Sequence, residues 1–351
     1  MTTLPIRIVD APLAERVISV DGSWPQPGLN LSHWPGNTTP RELKHDLSTG
    51  IALAFAKLPR ARQAELAQGC VALANNHYDT DGACALFAVA HPEAALARAG
   101  ALLDAAAAGD LFRFPSERAF AIDCVVNGFA DLERSPLRAR FAGLDDRARR
   151  ELATNEIVRL LPELLDGALE PFAELWKAPL ERCLADRRDL AAAARDDLVH
   201  LDLAVWTAPM DRRSSTAGTT AFDPGRHALF GSTEADRVLV LGPGARGTTA
   251  RFLVNTTSWF ELVTRTTQPR PDLAALAARL NALEGTTDEG ELAWRAQPSN
   301  SPSPELWFGG RLHPFFAEHA AALAPSRLDA VAIRAEVVEA LRAVWVFPDD
   351  G

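Results

Sequence analysis

The apolar run Val71 to Ala74 is followed by a segment rich in polar side chains, Asn75 to Gly82, and then by a second apolar run, Ala83 to Ala90. This order predicts a strand, a polar tip and the start of a helix. Upstream, Thr39, Pro40 and Glu42 form a capping box that predicts a helix from Pro40, and a further helix over 61–68 precedes the strand. Residues 94–108 predict a helix after the tip, and the apolar stretch Ala119-Phe120-Ala121-Ile122 ends on Asp123. Alternating strand and helix in this half predict an α/β unit. From about Asp145 to Asp197 the Ala, Leu, Arg and Glu pattern is helical, with breaks expected at Pro162 and Pro179. A two-residue alternation then takes over. It predicts strands over 198–206, 237–241 and 251–265, followed by a helix over 271–283, short strands at 292–294 and 306–308, and helices near His313 and Leu328. The change of pattern divides the chain into a domain over 1–197, α/β with a helical segment, and an α+β domain over 198–351.

At 351 residues the chain has room for two domains, and 47% hydrophobic residues are enough for a sizeable core. The net charge of -10 argues against a binder of double-stranded nucleic acid, because phosphate contacts need clustered Lys and Arg. A small anionic substrate, attracted locally, is compatible with that charge. Cys70, Cys84, Cys124 and Cys183 form no CxxC pair and are expected to be reduced core residues. No run reaches the roughly 20 apolar residues of a membrane span, and residues 1–10 lack a basic stretch followed by an apolar block, so a cytoplasmic protein is expected.

The candidate chemistry centres on the tip. In an extended tip His77, Asp79 and Asp81 project to one side, so an imidazole and two carboxylates converge as metal ligands. The plainer reading makes Asp81 a helix cap, Asp79 a solvated loop carboxylate and His77 a hydrogen-bonded histidine. Gly82 is expected to permit the tight turn into the helix, whose N-terminus favours anions. A carboxylate set with one imidazole suits Mn²⁺ or Mg²⁺ better than structural zinc. Further ligands are sought elsewhere. His200 and Asp202 share one face of the expected strand over 198–206, either as a ligand pair or as its solvated face. Asp123 lies among apolar neighbours, where an ionised carboxylate needs a partner. His33, His45 and Asp46 flank a tryptophan-containing loop, with Asp46 and Thr49 one helical turn apart. Arg226 and His227, after Asp223-Pro224-Gly225, form either an anion-binding pair or a polar turn. Gly242 to Gly247 spells GxGxxG, but the strand-like residues after it predict a hairpin loop rather than a dinucleotide site. Asp79-Thr80-Asp81-Gly82 partly matches the DxDGT signature of haloacid-dehalogenase-like phosphatases, yet Ala83 replaces the threonine and polar residues precede it.

The tip resembles the first motif of the DHH phosphoesterase superfamily over about 15 residues. The resemblance implies a DHH-like parallel-sheet N-terminal domain and a C-terminal α+β portion. It further implies Mn²⁺ or Mg²⁺ held by His77, Asp79 and Asp81, with Asp123 as a second-motif aspartate, activating water against a phosphoester or phosphoanhydride. The Asp-His-His triplet that names the superfamily is absent, as is a glycine-rich histidine motif around Gly310. The alternative is therefore a noncatalytic metal- or ligand-binding protein that retains the fold. The wider chain, through Ser32 to Asn37, Leu43 to Thr49 and Asn75 to Gly82, also resembles an uncharacterised bacterial family known only as a domain of unknown function.

Overall fold

The computed structural model describes residues 4–209, 222–244, 247–311 and 323–346, so the helix expected near His313 lies outside the described residues. The protein is mixed α/β and divides into two units. The first comprises Met1–Arg182 with Phe260–Thr266, and the second Cys183–Trp259 with Thr267–Gly351.

The first unit holds a sheet of four strands in the order β1-β4-β2-β3: β1 (Ile6–Ile8), β2 (Val17–Val20), β3 (Gly28–Leu31) and β4 (Leu73–Asn75). Every pairing in it is parallel, so all four strands end at the same edge. In open parallel sheets that carboxyl edge is where ligand groups gather, because the chain must leave each strand there in a loop. Around the sheet lie α1 (Ser48–Lys57), α2 (Arg60–Leu66), α3 (Thr80–Ala90), α4 (Pro92–Leu96), α5 (Ala99–Leu111), α6 (Glu117–Ala130) and α7 (Asp146–Leu165). Helix α3 is buried along Thr80 to Ala88, and its core contains Leu86 and Phe87 beside the small residues Ala83, Cys84 and Ala85. A helix apolar on all sides belongs in the middle of a core, and α3 is the central helix here.

Helix α8 (Ala173–Ala192) leads into the second unit, whose six strands are ordered β5-β6-β7-β8-β10-β9. These are β5 (Ala194–Leu198), β6 (Leu203–Thr207), β7 (Arg237–Gly244), β8 (Gly247–Val254), β9 (Ala293–Ala296) and β10 (Glu305–Gly309). Among the described residues of this sheet only the β6–β7 pair is parallel. Leu203, Val205, Leu239, Phe252, Leu306 and Phe308 point to one core with Leu276, Leu280, Ile333 and Val337, from α10 (Leu273–Glu284) and α11 (Ala330–Arg342), and a short α9 (Arg226–Phe230) precedes β7. The antiparallel β7–β8 pairing, closing at Gly244↔Gly247, matches the hairpin expected from the GxGxxG segment.

Several boundaries differ from the sequence expectations. No α-helix starts at Pro40: a short 3-10 helix spans Arg41–Leu43, and Thr39 Oγ1 donates to the Ser32 carbonyl instead of capping. Pro162 and Pro179 lie inside α7 and α8, while the break falls at Gly167, whose φ of 103° ends the first helix. The expected strand over 198–206 is interrupted by a 3-10 helix, Val199–Leu201, and by Asp202 at φ 51°. Asp123, at the end of the apolar stretch 119–122, lies inside α6.

Candidate metal centre

Three loops leave the carboxyl edge of the parallel sheet, and each brings a ligand-type side chain. Asp21 follows β2, His33 follows β3 by two residues, and His77 with Asp79 follows β4. Asp21 has φ 63°, a left-handed conformation that aspartate tolerates better than most residues. There its carboxylate accepts from Ser48 Oγ at 3.0 Å. Asp81 comes from the first turn of α3 and Asp110 from the last turn of α5.

These residues form two groups that share Asp21: Asp21, His33, Asp81 and Asp110 on the inside, and Asp21, His77 and Asp79 toward the surface. In the inner group His33 Nε2 lies 3.1 Å from Asp110 Oδ2, 3.5 Å from Asp21 Oδ1 and 3.7 Å from Asp81 Oδ2. In the outer group His77 Nε2 lies 2.9 Å from both Asp21 Oδ2 and Asp79 Oδ2. The two oxygens of one fully buried carboxylate thus face two different imidazoles. Asp21 Oδ2 and His33 Nε2 are buried and lack a hydrogen bond of good geometry within the protein.

The neighbours fix which atoms face inward. His33 Nδ1 is 2.6 Å from the Asp46 carbonyl, so it donates there and leaves Nε2 for the cluster. His77 Nδ1 lies 2.7 Å from Asn76 Oδ1, with the same consequence. Gly82, the third residue of α3, is needed for space rather than for a turn. A Cβ there would lie 2.3 Å from Asn75 Nδ2 and about 3 Å from the carboxylates of Asp79 and Asp21, at 3.0 and 3.1 Å.

Burial and crowding shift the titrations. Asp110 is pushed well up by burial and by the charges of Asp79 and Asp81. Asp81 is pushed up to about 6 by burial and by Asp21, and Asp79 is raised for the same two reasons. Against its own burial, Asp21 is held well below the usual carboxylate range by His77 and His33. Burial opposes charge on the imidazoles too, yet the Asp110 and Asp21 contacts raise His33, and the charges of Asp79 and Asp21 raise His77. Four carboxylates against two imidazoles is an excess of negative charge in a desolvated space. Protons relieve it in the bare protein, and the same oxygens and imidazole nitrogens form a donor set of the kind that holds a divalent cation.

The expected trio of His77, Asp79 and Asp81 therefore does not form one coordination sphere: Asp81 joins the inner group and the other two the outer. The plainer reading of the tip also exchanges its residues. Asp79 is the N-cap of α3, accepting from Gly82 N at 2.8 Å. Asp81 closes the start of α1 instead, accepting from Ser48 N at 2.7 Å and Thr49 N at 2.8 Å. Asp123 is not among the grouped ligands; its Oδ1 accepts from Thr80 Oγ1 at 2.5 Å and from Asn127 Nδ2 at 3.0 Å, which orients the start of α3. His33 is a member of the inner group, whereas Asp46 contributes only its carbonyl, and its carboxylate accepts from Val263 N and Thr264 N at 2.6 and 3.0 Å. His200 and Asp202 belong to the second unit and to neither group. His200 is exposed on the 3-10 helix, and Asp202 accepts from Asp236 N and pairs with Arg237. Arg226 is engaged with Glu305 and Ser303, which commits its guanidinium to the protein, and His227 lies beside it on α9.

Sequence reasoning missed Asp21 and Asp110. Asp21-Gly22 at the end of the apolar run Val17 to Val20 was the available signal for the first. For the second it was a lone carboxylate near the end of the Ala-rich stretch 105–111.

Residues 9–350 match the model of DUF6687, described as a family of unknown function. No curated protein matches the chain. Among solved structures, the DHH domain of a protein described as a member of a family of ribosomal proteins overlaps 90% of this chain at 13% identity and a TM-score of 0.26. The chain spans 62% of that protein's length, and a structural likeness this low does not bear on the site.

Proposed function

The chain belongs to DUF6687, a family of unknown function, and we propose that it is a hydrolase of a small anionic phosphoester or phosphoanhydride, working with two divalent ions, Mn²⁺ or Mg²⁺. The observation that carries the reading is the buried Asp21 carboxylate, whose Oδ1 faces the His33 group and whose Oδ2 faces the His77 group. Oxygen ligands with imidazole, and no cysteine in either group among the described residues, fit a hard or borderline cation. The resemblance of the tip to the first DHH motif supports the same chemistry. Asp21, His33, Asp81 and Asp110 would hold one ion, and Asp21, His77 and Asp79 the other. When bound, such a pair supplies Lewis acidity and a clamp on phosphoryl oxygens.

The residues of the chain divide the remaining tasks. The His33 and Asp81 side chains are fully buried and that of Asp110 is 7% exposed, which keeps bulk water from the inner group. Those of His77 and Asp79 are 23% and 31% exposed, so the outer group is the side on which an anionic substrate is received. Asn76 holds the His77 ring, and the Trp34 ring packs against it at 4.8 Å between centroids.

The absence of the Asp-His-His triplet favours a second reading, a protein that binds metal or ligand without turnover. Metal analysis of protein purified without chelator, followed by assay with bis-p-nitrophenyl phosphate, p-nitrophenyl phosphate, pyrophosphate and a dinucleotide in Mn²⁺, separates the two. Bound ions with metal-dependent turnover support the hydrolase, and bound ions without turnover on any of these leave the binding protein.

A further inference from the structure

Residues 260–266 stand far from the site in sequence, between segments of the second unit, yet they belong structurally to the first. Their contacts converge on the loop that carries His33. The Phe260 ring stacks on the His33 imidazole at 3.8 Å between centroids and 17° between planes. Glu261 N donates to the His33 carbonyl at 2.8 Å. The Glu261 carboxylate accepts from Gly36 N, Asn37 Nδ2 and Lys44 Nζ at 2.9, 2.7 and 3.1 Å. Val263 N and Thr264 N donate to the Asp46 carboxylate, and the carbonyl of that same Asp46 receives His33 Nδ1. A stacked ring fixes the plane of the imidazole, and the Asp46 carbonyl fixes its tautomer; together they set the direction of Nε2.

We propose that Phe260 to Thr264 form a positioning strap for His33, one that holds Nε2 toward the inner carboxylates and so sets the cation affinity of the inner group. This rests on the metal reading above. None of the strap residues is itself in either ligand group among the described residues, so their effect must travel through His33 and Asp46.

The test titrates the full-length, chelator-stripped protein with Co²⁺ and Mn²⁺ by calorimetry and by the visible spectrum of the Co²⁺ form. Phe260→Ala should weaken the inner site by about 10- to 100-fold, the usual effect of removing a group that orients a metal ligand. It should also alter the Co²⁺ spectrum and leave the outer site unchanged. Phe260→Tyr, which keeps the stacked ring, should restore the wild-type affinity, whereas a merely structural role would leave the Co²⁺ spectrum unaltered in either variant. Should Phe260→Ala not fold, Asp46→Ala decides, because it removes the strap's anchor and is expected to shift the same site in the same direction. A folded Phe260→Ala or Asp46→Ala protein with wild-type inner affinity and spectrum overturns the strap. A wild-type protein that takes up neither ion overturns the metal reading itself, a distinguishable outcome.

Discussion

Asp79 and Asp81 are two residues apart and both belong to the candidate metal centre, yet their removal should have unequal structural effects. The Asp81 carboxylate accepts two backbone amides at the start of α1, Ser48 N at 2.7 Å and Thr49 N at 2.8 Å, and both residues are fully buried. A hydrogen bond to a charged acceptor contributes about 1.5–3 kcal/mol. Part of the paired loss returns, since burial and the neighbouring Asp21 already disfavour the ionised form. Asp81→Ala should therefore destabilise the metal-free protein by about 2–4 kcal/mol. Asp79 accepts one backbone cap bond, from Gly82 N, and its other partner, His77 Nε2 at 2.9 Å, lies on the part-exposed side where an ion pair contributes little, so Asp79→Ala should cost about 1 kcal/mol. Urea unfolding of the chelator-treated variants at neutral pH measures the difference, and amide exchange of the 48–57 segment localises it. An Asp81→Ala protein as stable as Asp79→Ala, with the first turn of α1 still protected, would refute this account of the tip.

Other consequences concern pH and the residues left outside the site. In the metal-free protein Asp81, Asp79 and Asp110 are raised and hold protons longer in the folded than in the unfolded state, and raised His33 and His77 act in the same direction. Their stabilisation is therefore present at low pH and lost as pH rises through the folded-state values, so the metal-free protein should melt higher at pH 6 than at pH 8. Within the cluster Asp21, held low, opposes this, but its contribution is lost only in the acid range below its unfolded value. Outside the cluster His45, lowered by burial, opposes it near pH 6 and is outnumbered by the raised groups. Calorimetric scans at the two pH values check the sign, and a melting point that rises toward pH 8 without metal contradicts it. Metal uptake should release protons, so the affinity measured by titration calorimetry should increase from pH 6 to pH 8. His200→Ala should leave metal binding and stability unchanged, since the side chain is exposed and in neither ligand group; a loss of bound metal would return it to the site.

The strand, tip and helix around His77 are legible in the sequence because hydrophobic periodicity and polar interruption are local signals, and β4 and α3 follow them closely. The convergence of His33 on the site is only half legible. Its chemistry is visible, but the parallel order β1-β4-β2-β3, which brings the ends of β2 and β3 beside that of β4, is a nonlocal fact. Asp21 stays hidden because β2 is only four residues long and the turn after it reads as irregular coil. Asp110 is obscured by its alanine-rich helix. His200 and Asp202 mislead through alternation alone: the left-handed Asp202 and the 3-10 helix before it break the strand whose shared face the pattern implies. Gly82 shows a different limit. A glycine after a polar tip suggests a turn, but this one stands in a helix where no side chain has room between Asn75, Asp79 and Asp21.

The claim that rests on most of these observations is that one carboxylate serves two cation positions. Mn²⁺ titration of the stripped wild-type protein and of Asp21→Asn, with metal per chain counted by plasma emission spectrometry, tests it most directly. Two ions per wild-type chain are expected, with loss of tight binding at both positions in Asp21→Asn and the secondary structure unchanged. A wild-type chain that binds no ion, or an Asp21→Asn chain that still binds two with wild-type affinity, contradicts it.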